Sequence, residues 1–421
     1  MTSIHTPSRA RKLVCALFVI PFIILAAGCA QNAPNTSVQA DKAAERVPVI
    51  LVSIDGFRPD YLDRGVTPNL NALAAGGARA EAMLPSFPSI TFPNHYTLVT
   101  GLRPDHHGLV GNTMEDARIP GVRFKLSDHN AVADRRWWDG AEPVWVTAEK
   151  QGVRTATMFW PGTEAAIHGV RPTKWLPFDG KLPPAARVDT LLGWLDSPAT
   201  HFGFATLYFD DVDHAGHEYG PDAAKTTEAA AHVDAAIGRL LAGLKARNIT
   251  ANIVIVSDHG MAAISKQRVV RLDQVAPASS FKMLTYGAYG GIDAVPGQDA
   301  VLAAALLKPH EHMQCWRKGD IPARFQYGSN ARVPAFLCLA EVGWVVVPDE
   351  KAAERTDGGT HGYDNAAPEM RALFIASGPA FRHVALKPFD NVDVYPLVMS
   401  LIGVPPLAND GDIAPLLPAL K

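Results

Sequence analysis

No run or stripe of lysine and arginine occurs in this chain; its 39 basic side chains are spread among 42 acidic ones, for a formal charge of −3. A groove that neutralises many phosphates of a nucleic-acid polymer is thereby excluded, because such grooves need clustered positive charge. Collagen-like repeats are missing too, and 48% hydrophobic residues over 421 positions supply a sizeable core, which excludes disorder. The apolar run from Leu13 to Ala27, about 15 residues, falls short of the roughly 20 that cross a bilayer. It follows Arg9, Arg11 and Lys12 and ends in small residues, so residues 1–28 read as a signal peptide.

Cysteine is scarce, with four in the chain. Cys15 leaves with the leader, and Cys29 stands at the processing site. Ala26-Ala27-Gly28-Cys29 resembles a bacterial lipobox, with Ala26 where leucine is usual. Two outcomes follow: a lipid on Cys29 that anchors the protein to a membrane, or cleavage nearby without a lipid. Either exports the mature, mildly acidic chain, to the periplasm or outer membrane of a bacterium. There Cys315 and Cys338 either pair as a disulfide or stay as two thiols. Residues 29–46 carry no apolar period and read as a tether.

From Val47 onward the pattern is that of strands alternating with helices. Val47 to Ile54 is a continuous β-branched run, as expected of a strand buried on both faces. Thr155 to Phe159, Phe202 to Phe209, Ile253 to Ser257 and Ala372 to Ala376 repeat the signal, and the clearest helix spans Ala223 to Arg247. Thr67-Pro68 reads as an N-cap and first helical residue. A mainly parallel sheet covered on both faces follows, an α/β fold whose ligands gather at the carboxyl ends of the strands. Between about 281 and 348 the pattern loosens into short β-like pieces such as Gly343 to Val347. This stretch is either an inserted cap or an irregular continuation of a single 47–421 catalytic domain.

Acids, histidines and one hydroxyl cluster at the predicted strand ends. Asp55 follows the first strand, Asp213 and His217 stand one helical turn apart, and Asp258-His259 follow another strand. His361 lies in a glycine-rich stretch, Gly358-Gly359-Thr360-His361-Gly362. Three carboxylates and three imidazoles form two mixed oxygen and nitrogen sets, which suits zinc better than magnesium or calcium. Two divalent ions would outweigh three aspartates by one positive charge, favouring an ionised hydroxyl and a bound anionic phosphate. Thr91, just before Pro93 in a helix-like run to Thr100, is the hydroxyl, at a helix start where N–H groups favour anions.

The segments Asp55-Gly-Phe-Arg, Pro88-Ser-Ile-Thr91-Phe-Pro-Asn-His, Gly111-Asn112, Asp213-His-Ala-Gly-His217-Glu-Tyr-Gly-Pro221, Asp258-His259-Gly-Met and Thr360-His361-Gly resemble the nucleotide pyrophosphatase/phosphodiesterase family. The resemblance runs from about Val47 to Leu401. It implies an alkaline phosphatase-like three-layer sandwich with a mainly parallel sheet and a smaller cap. One zinc would take Asp213, His217 and His361, and the other Asp55, Asp258 and His259, with Thr91 as nucleophile between them. Asn112 and the Thr91 N–H would hold a phosphoryl oxygen, a neutral donor pair that suits a diester. Phe92 and Tyr208 resemble an aromatic nucleoside clamp, with Trp160 and Trp175 as further stacking candidates. His214 and the pair Asp210-Asp211 depart from the residues usual there, which bears on substrate choice.

The expected partner is a nucleotide or other small phosphodiester; no protein partner is inferred. Two rivals remain at this level. A phospholipase C-like diesterase would keep lipid hydrolysis after Phe92→Ala, and an inactive nucleotide-binding surface lipoprotein would bind zinc without turning over an aryl phosphodiester.

Overall fold

Val49–Ile54, β1, is buried throughout. Its side chains alternate between two cores, Val49 and Leu51 facing one and Ile50, Val52 and Ile54 the other. A strand apolar on every residue but Ser53, and buried along its length, is stable only as the middle of a sandwich. In the computed structural model the described residues are 47–196 and 201–421; the leader expected at 1–28, Cys29 and the tether fall outside them. Among the described residues no helix is long and apolar enough to cross a membrane.

The remaining strands of the main sheet are β2 (Ala78–Ala80), β3 (Arg154–Met158), β4 (Lys174–Trp175), β5 (Phe202–Phe209), β6 (Asn252–Val256), β7 (Phe374–Ser377) and β8 (Val384–Leu386). Their order is β8-β2-β7-β6-β1-β5-β3-β4. β1 pairs in parallel with β5 and β6, and β7 alone runs against its neighbours. β7 starts two residues later than the sequence suggests, since Ala372 bridges to Met83 instead.

Seven helices cover the sheet: α1 (Pro68–Gly76), α2 (Thr91–Thr100), α3 (Val144–Lys150), α4 (Pro184–Leu195), α5 (Asp211–Tyr219), α6 (Ala224–Ala246) and α7 (Val394–Leu401). Tyr96 of α2, Trp145 of α3 and Leu397 of α7 pack on one face. Leu70 of α1, Leu191 of α4 and Ile237 of α6 pack on the other. The expected three-layer α/β architecture is the one observed.

Thr67 occupies the N-cap position of α1, but its side chain makes no cap bond there and its hydroxyl donates to the Leu62 carbonyl. The cap comes from another helix. Asp234, buried in α6, accepts from the backbone N–H of Asn69 and of Leu70, at 3.2 and 2.8 Å, and from the Asn69 amide. A carboxylate reaching across the interface satisfies the exposed donors and complements the helix dipole at once.

Phe281–Thr285, Tyr289–Ala294, Met313–Arg317 and Phe336–Ala340 form a separate four-stranded antiparallel sheet with a small core around Ile292, Leu302 and Phe336. Cys315 stands opposite Cys338 in this sheet, and a disulfide joins them. The last β-like piece leaves it: Val345–Val347 pairs in parallel with Val269–Arg271 after a turn at Gly343, whose φ is 86°.

Removing the Asp234 carboxylate as Asp234→Ala strands donors at the start of α1 and is expected to cost about 2–3 kcal/mol in urea unfolding; a loss below about 0.5 kcal/mol would show that water replaces the cap. His107, fully buried beneath α2, accepts from the Leu109 N–H at Nδ1 and has Nε2 3.2 Å from the Pro93 carbonyl, so its ring is neutral. Burial first of all lowers its pKa to about 3. The unfolded chain binds a proton near 6.5 that the folded chain refuses, so stability falls as pH drops from about 6.5 toward 3, by up to ~1.4 kcal/mol per unit. His107→Asn is expected to flatten that slope in unfolding measured at pH 7, 5 and 4.

Candidate metal centre

The carboxyl ends of β1, β5 and β6 lie side by side, and each releases acids within a few residues: Asp55 after β1, Asp213 after β5 and Asp258 after β6. Gly56 takes a φ of +67°, and a Cβ there would sit 3.0 Å from the Asp213 backbone. Only glycine permits this approach of two acid-bearing turns. Gly358 plays the same part for the third loop: a Cβ would collide with the His217 carbonyl at 2.1 Å, and this contact delivers His361 to the end of α5.

Two groups result. Asp55, Asp258 and His259 have ligating atoms within 4.8 Å of one another, as do Asp213, His259 and His361. His217 joins the second group, its Nε2 3.6 Å from Asp213 and 3.0 Å from His361 Nε2, while His361 lies 3.5 Å from Asp213. The six predicted ligands therefore converge. The first group is closed to solvent; the second opens through His217, whose side chain is 42% exposed.

Each imidazole is aimed by a backbone carbonyl. His217 Nδ1 donates to Gly359 at 2.9 Å, His259 Nδ1 to Gly260 at 2.9 Å and His361 Nδ1 to Ser89 at 3.0 Å. A carbonyl can only accept, so in the neutral ring every Nδ1 holds the proton and every Nε2 presents a lone pair inward. Two such lone pairs face each other at 3.0 Å between His217 and His361. Asp55 Oδ1, Asp213 Oδ1 and Asp258 Oδ2 are buried and accept no hydrogen bond. His259 lies 3.0 Å from Asp258 Oδ2 without hydrogen-bond geometry. Inward lone pairs and orphaned carboxylate oxygens are the condition a bound cation relieves, so the residues fit a metal.

The charges show the same conflict. Burial, then the Asp258 and Asp213 charges, pushes Asp55 well above the ordinary carboxylate range. Burial also opposes ionisation of Asp258, but His259 and His95 outweigh it and hold that carboxyl well below its usual value. His361 is driven well down by burial and by the neighbouring imidazoles His259 and His217.

Thr91 is the first residue of α2, where its N–H has no carbonyl four residues back. Its Oγ1 lies 3.3 Å from His259 Nε2, and His259 belongs to both groups. Asn112 lines the cavity beside it and accepts from the Phe92 N–H at 2.9 Å, which fixes its oxygen and leaves the NH₂ as the donor end. The cavity, about 740 Å³, also takes in Phe92, Phe159, Trp160, Phe178 and Tyr208.

The aromatic candidates divide. Phe92 is half-buried on the cavity wall. Tyr208 is buried, and its hydroxyl donates to Asp55 Oδ2 at 2.6 Å, so it positions a ligand instead of offering an open stacking face. Trp160 is buried too, with Nε1 bonded to the His95 carbonyl beneath the cavity. Trp175 does not line the cavity: β4 is the outer strand of the sheet, away from the converging ends, and the Arg171 guanidinium covers its ring at 4.5 Å.

Sequence reasoning passed over two residues. Phe178 lies in an irregular segment after β4 that carries no periodic signal, yet it lines the cavity and packs 5.9 Å from Tyr208. His95, one helical turn after Thr91, donates from Nδ1 to the Thr91 carbonyl at 2.9 Å, accepts at Nε2 from Ser53 at 2.8 Å and lies 3.3 Å from Asp258. Its i,i+4 spacing from Thr91 was the available signal.

Residues 49–364 match the family described as Type I phosphodiesterase / nucleotide pyrophosphatase. An uncharacterized pyrophosphatase/phosphodiesterase of Schizosaccharomyces pombe is 39% identical over 88% of this chain and 80% of its own length. A bis(5′-adenosyl)-triphosphatase of Xenopus laevis is 36% identical over 87% of this chain and 80% of its own. Among solved structures, murine ectonucleotide pyrophosphatase / phosphodiesterase 5, as an inactive variant in complex with AMP, superposes with a TM-score of 0.85 at 31% identity, covering 89% of this chain and 100% of that one.

Tyr208→Phe, which removes the bond to Asp55 while keeping the ring, is expected to weaken metal retention about 10-fold to 100-fold in chelator competition. Unchanged retention would mean that Asp55 is oriented without it.

Proposed function

Because the chain belongs to the Type I phosphodiesterase / nucleotide pyrophosphatase family, we propose that it hydrolyses nucleotide phosphodiester or pyrophosphate bonds to a nucleoside 5′-monophosphate, with Thr91 as nucleophile and two zinc ions as cofactors. The observation that carries this reading is Thr91 Oγ1 at a helix start, 3.3 Å from the imidazole shared by the two ligand groups. One zinc is assigned to Asp213, His217 and His361 and the other to Asp55, Asp258 and His259; bound there, they supply positive charge that favours the ionised hydroxyl and the charge developing on phosphorus.

The chain's own part is positional. The Thr91 hydroxyl gives its proton to solvent and its oxygen forms a bond to phosphorus as the bond to the leaving oxygen breaks. The Thr91 N–H and the Asn112 NH₂ hold a non-bridging oxygen, the dipole of α2 adding to their pull. The nucleoside stays attached as a phosphothreonine diester, its base against Phe92 and Phe178. Water then displaces Thr91 and releases the monophosphate. His95 keeps α2 in register with Asp258 throughout, and Tyr208 does the same for Asp55.

The four-stranded sheet is read as a cap on one catalytic domain spanning 47–421. Export to a bacterial periplasm or outer membrane, with a lipid on Cys29, rests on the leader pattern; the Cys315–Cys338 disulfide supports an oxidising compartment.

Thr91→Ala is expected to lower kcat on an aryl ester of a nucleoside 5′-monophosphate by at least about 10³-fold with AMP binding retained. Chelation should abolish wild-type turnover and zinc restore it. Turnover by the Thr91→Ala protein near the wild-type rate would remove the covalent mechanism.

A further inference from the structure

The cavity in front of Thr91 is lined by no lysine or arginine among the described residues. Beyond the metal-ligand groups its wall carries Glu164, Asp210, Asp211 and Glu218. Arg187 is the guanidinium behind this wall, and it is spent: 1% exposed, it pairs with Asp210 at 2.8 Å and donates to the Tyr208 and Leu182 carbonyls. Asp210 is thereby neutralised, but the others are not. Asp211 Oδ2 is buried and accepts no hydrogen bond; the Glu164 carboxylate receives the Phe178 N–H at 3.3 Å, with His129 3.9 Å away, while the Arg171 guanidinium donates to the Glu164 main-chain carbonyl and not to its carboxylate. The rest of the wall is apolar, aromatic or uncharged polar, with three imidazoles, His129, His214 and His232, among it.

A phosphate chain extending past the scissile bond carries negative charge that no lysine or arginine in this wall meets. Each added like charge at close range in a partly desolvated cavity costs on the order of tenfold in binding. An uncharged substituent escapes that cost, and a cationic one gains from Glu164, Asp211 and Glu218. From this we infer that the enzyme selects nucleotide diesters and anhydrides whose second substituent ends in a neutral or cationic group, and disfavours nucleoside triphosphates. This rests on the phosphodiesterase reading above and assigns its substrate class. Asp210-Asp211, set apart in the sequence as unusual for their positions, lie on the wall that makes the choice.

The test uses three adenosine diphosphates that share one anhydride bond and differ only at the distal phosphate, which bears a trimethylammonioethyl ester, a methyl ester, or a further phosphate as in ATP. The wild-type, zinc-loaded enzyme is expected to show kcat/KM falling in that order, by at least about tenfold from first to last, with the span narrowing at high salt. The double variant Asp211→Asn and Glu164→Gln, isosteric at both positions, should shrink the span by at least about threefold. ATP cleaved as well as or better than the cationic ester by the wild-type enzyme overturns the inference and leaves the phosphodiesterase reading intact. No cleavage of any of the three, with zinc bound, removes both.

Discussion

Six ligating groups with their lone pairs turned inward at the ends of three adjacent parallel strands are the constraint on which this molecule turns. Without a cation that arrangement is a conflict: Asp55 is pushed up by burial and then by its carboxylate neighbours, and His217 faces His361 nitrogen to nitrogen. The chain holds the conflict in place by rigid means. Backbone carbonyls of Gly359, Gly260 and Ser89 fix the three rings, and side chains on the strands themselves, Ser53 and Tyr208, brace the rest through His95 and Asp55. The stability of the sandwich is thus set against local electrostatic strain, which is the usual price of a prearranged charged site.

That bracing couples Thr91 to the candidate metal ligands. α2 begins at Thr91 and is tied one turn later, through His95, to Ser53 of β1, with Asp258 3.3 Å from the same ring; Trp160 closes over the same histidine. A shift of the helix would move the hydroxyl and a ligand together, so their spacing is preserved. Asn112 belongs to the same unit, since its oxygen is held by the backbone N–H of Phe92. Catalysis that relies on positioning gains from such shared supports.

Much of this was legible in the sequence. The strand run read at Val47 to Ile54 and observed at Val49–Ile54, the Phe202–Phe209 strand and the long α6 helix announced themselves by β-branched content or by length, which are local properties. The Asp213 and His217 pair was legible for the same reason, as one helical turn sets its geometry. Thr67 stands at the N-cap with Pro68 first in the helix, as the sequence suggests, but its hydroxyl found a nearer carbonyl and a distant carboxylate, Asp234, satisfies the helix donors. Tyr208 and Trp175 show the same limit. An aromatic near a strand end looks alike whether it faces ligand, supports an acid, or lies under an arginine on an outer strand.

The sequence alone therefore determined the layers, the kinds of metal-ligating group and the hydroxyl, because hydrophobic period and residue chemistry act over a few neighbouring positions. Only the tertiary structure decided that Asp55, Asp213 and Asp258 meet, that Cys315 joins Cys338, and that the cavity wall carries carboxylates and, among the described residues, no lysine or arginine. The meeting of the acids depends on strand order and on backbone approaches at Gly56 and Gly358 between segments more than a hundred residues apart, and the disulfide on the register of two antiparallel strands. No local pattern encodes such distances, since they follow from how the whole sandwich packs.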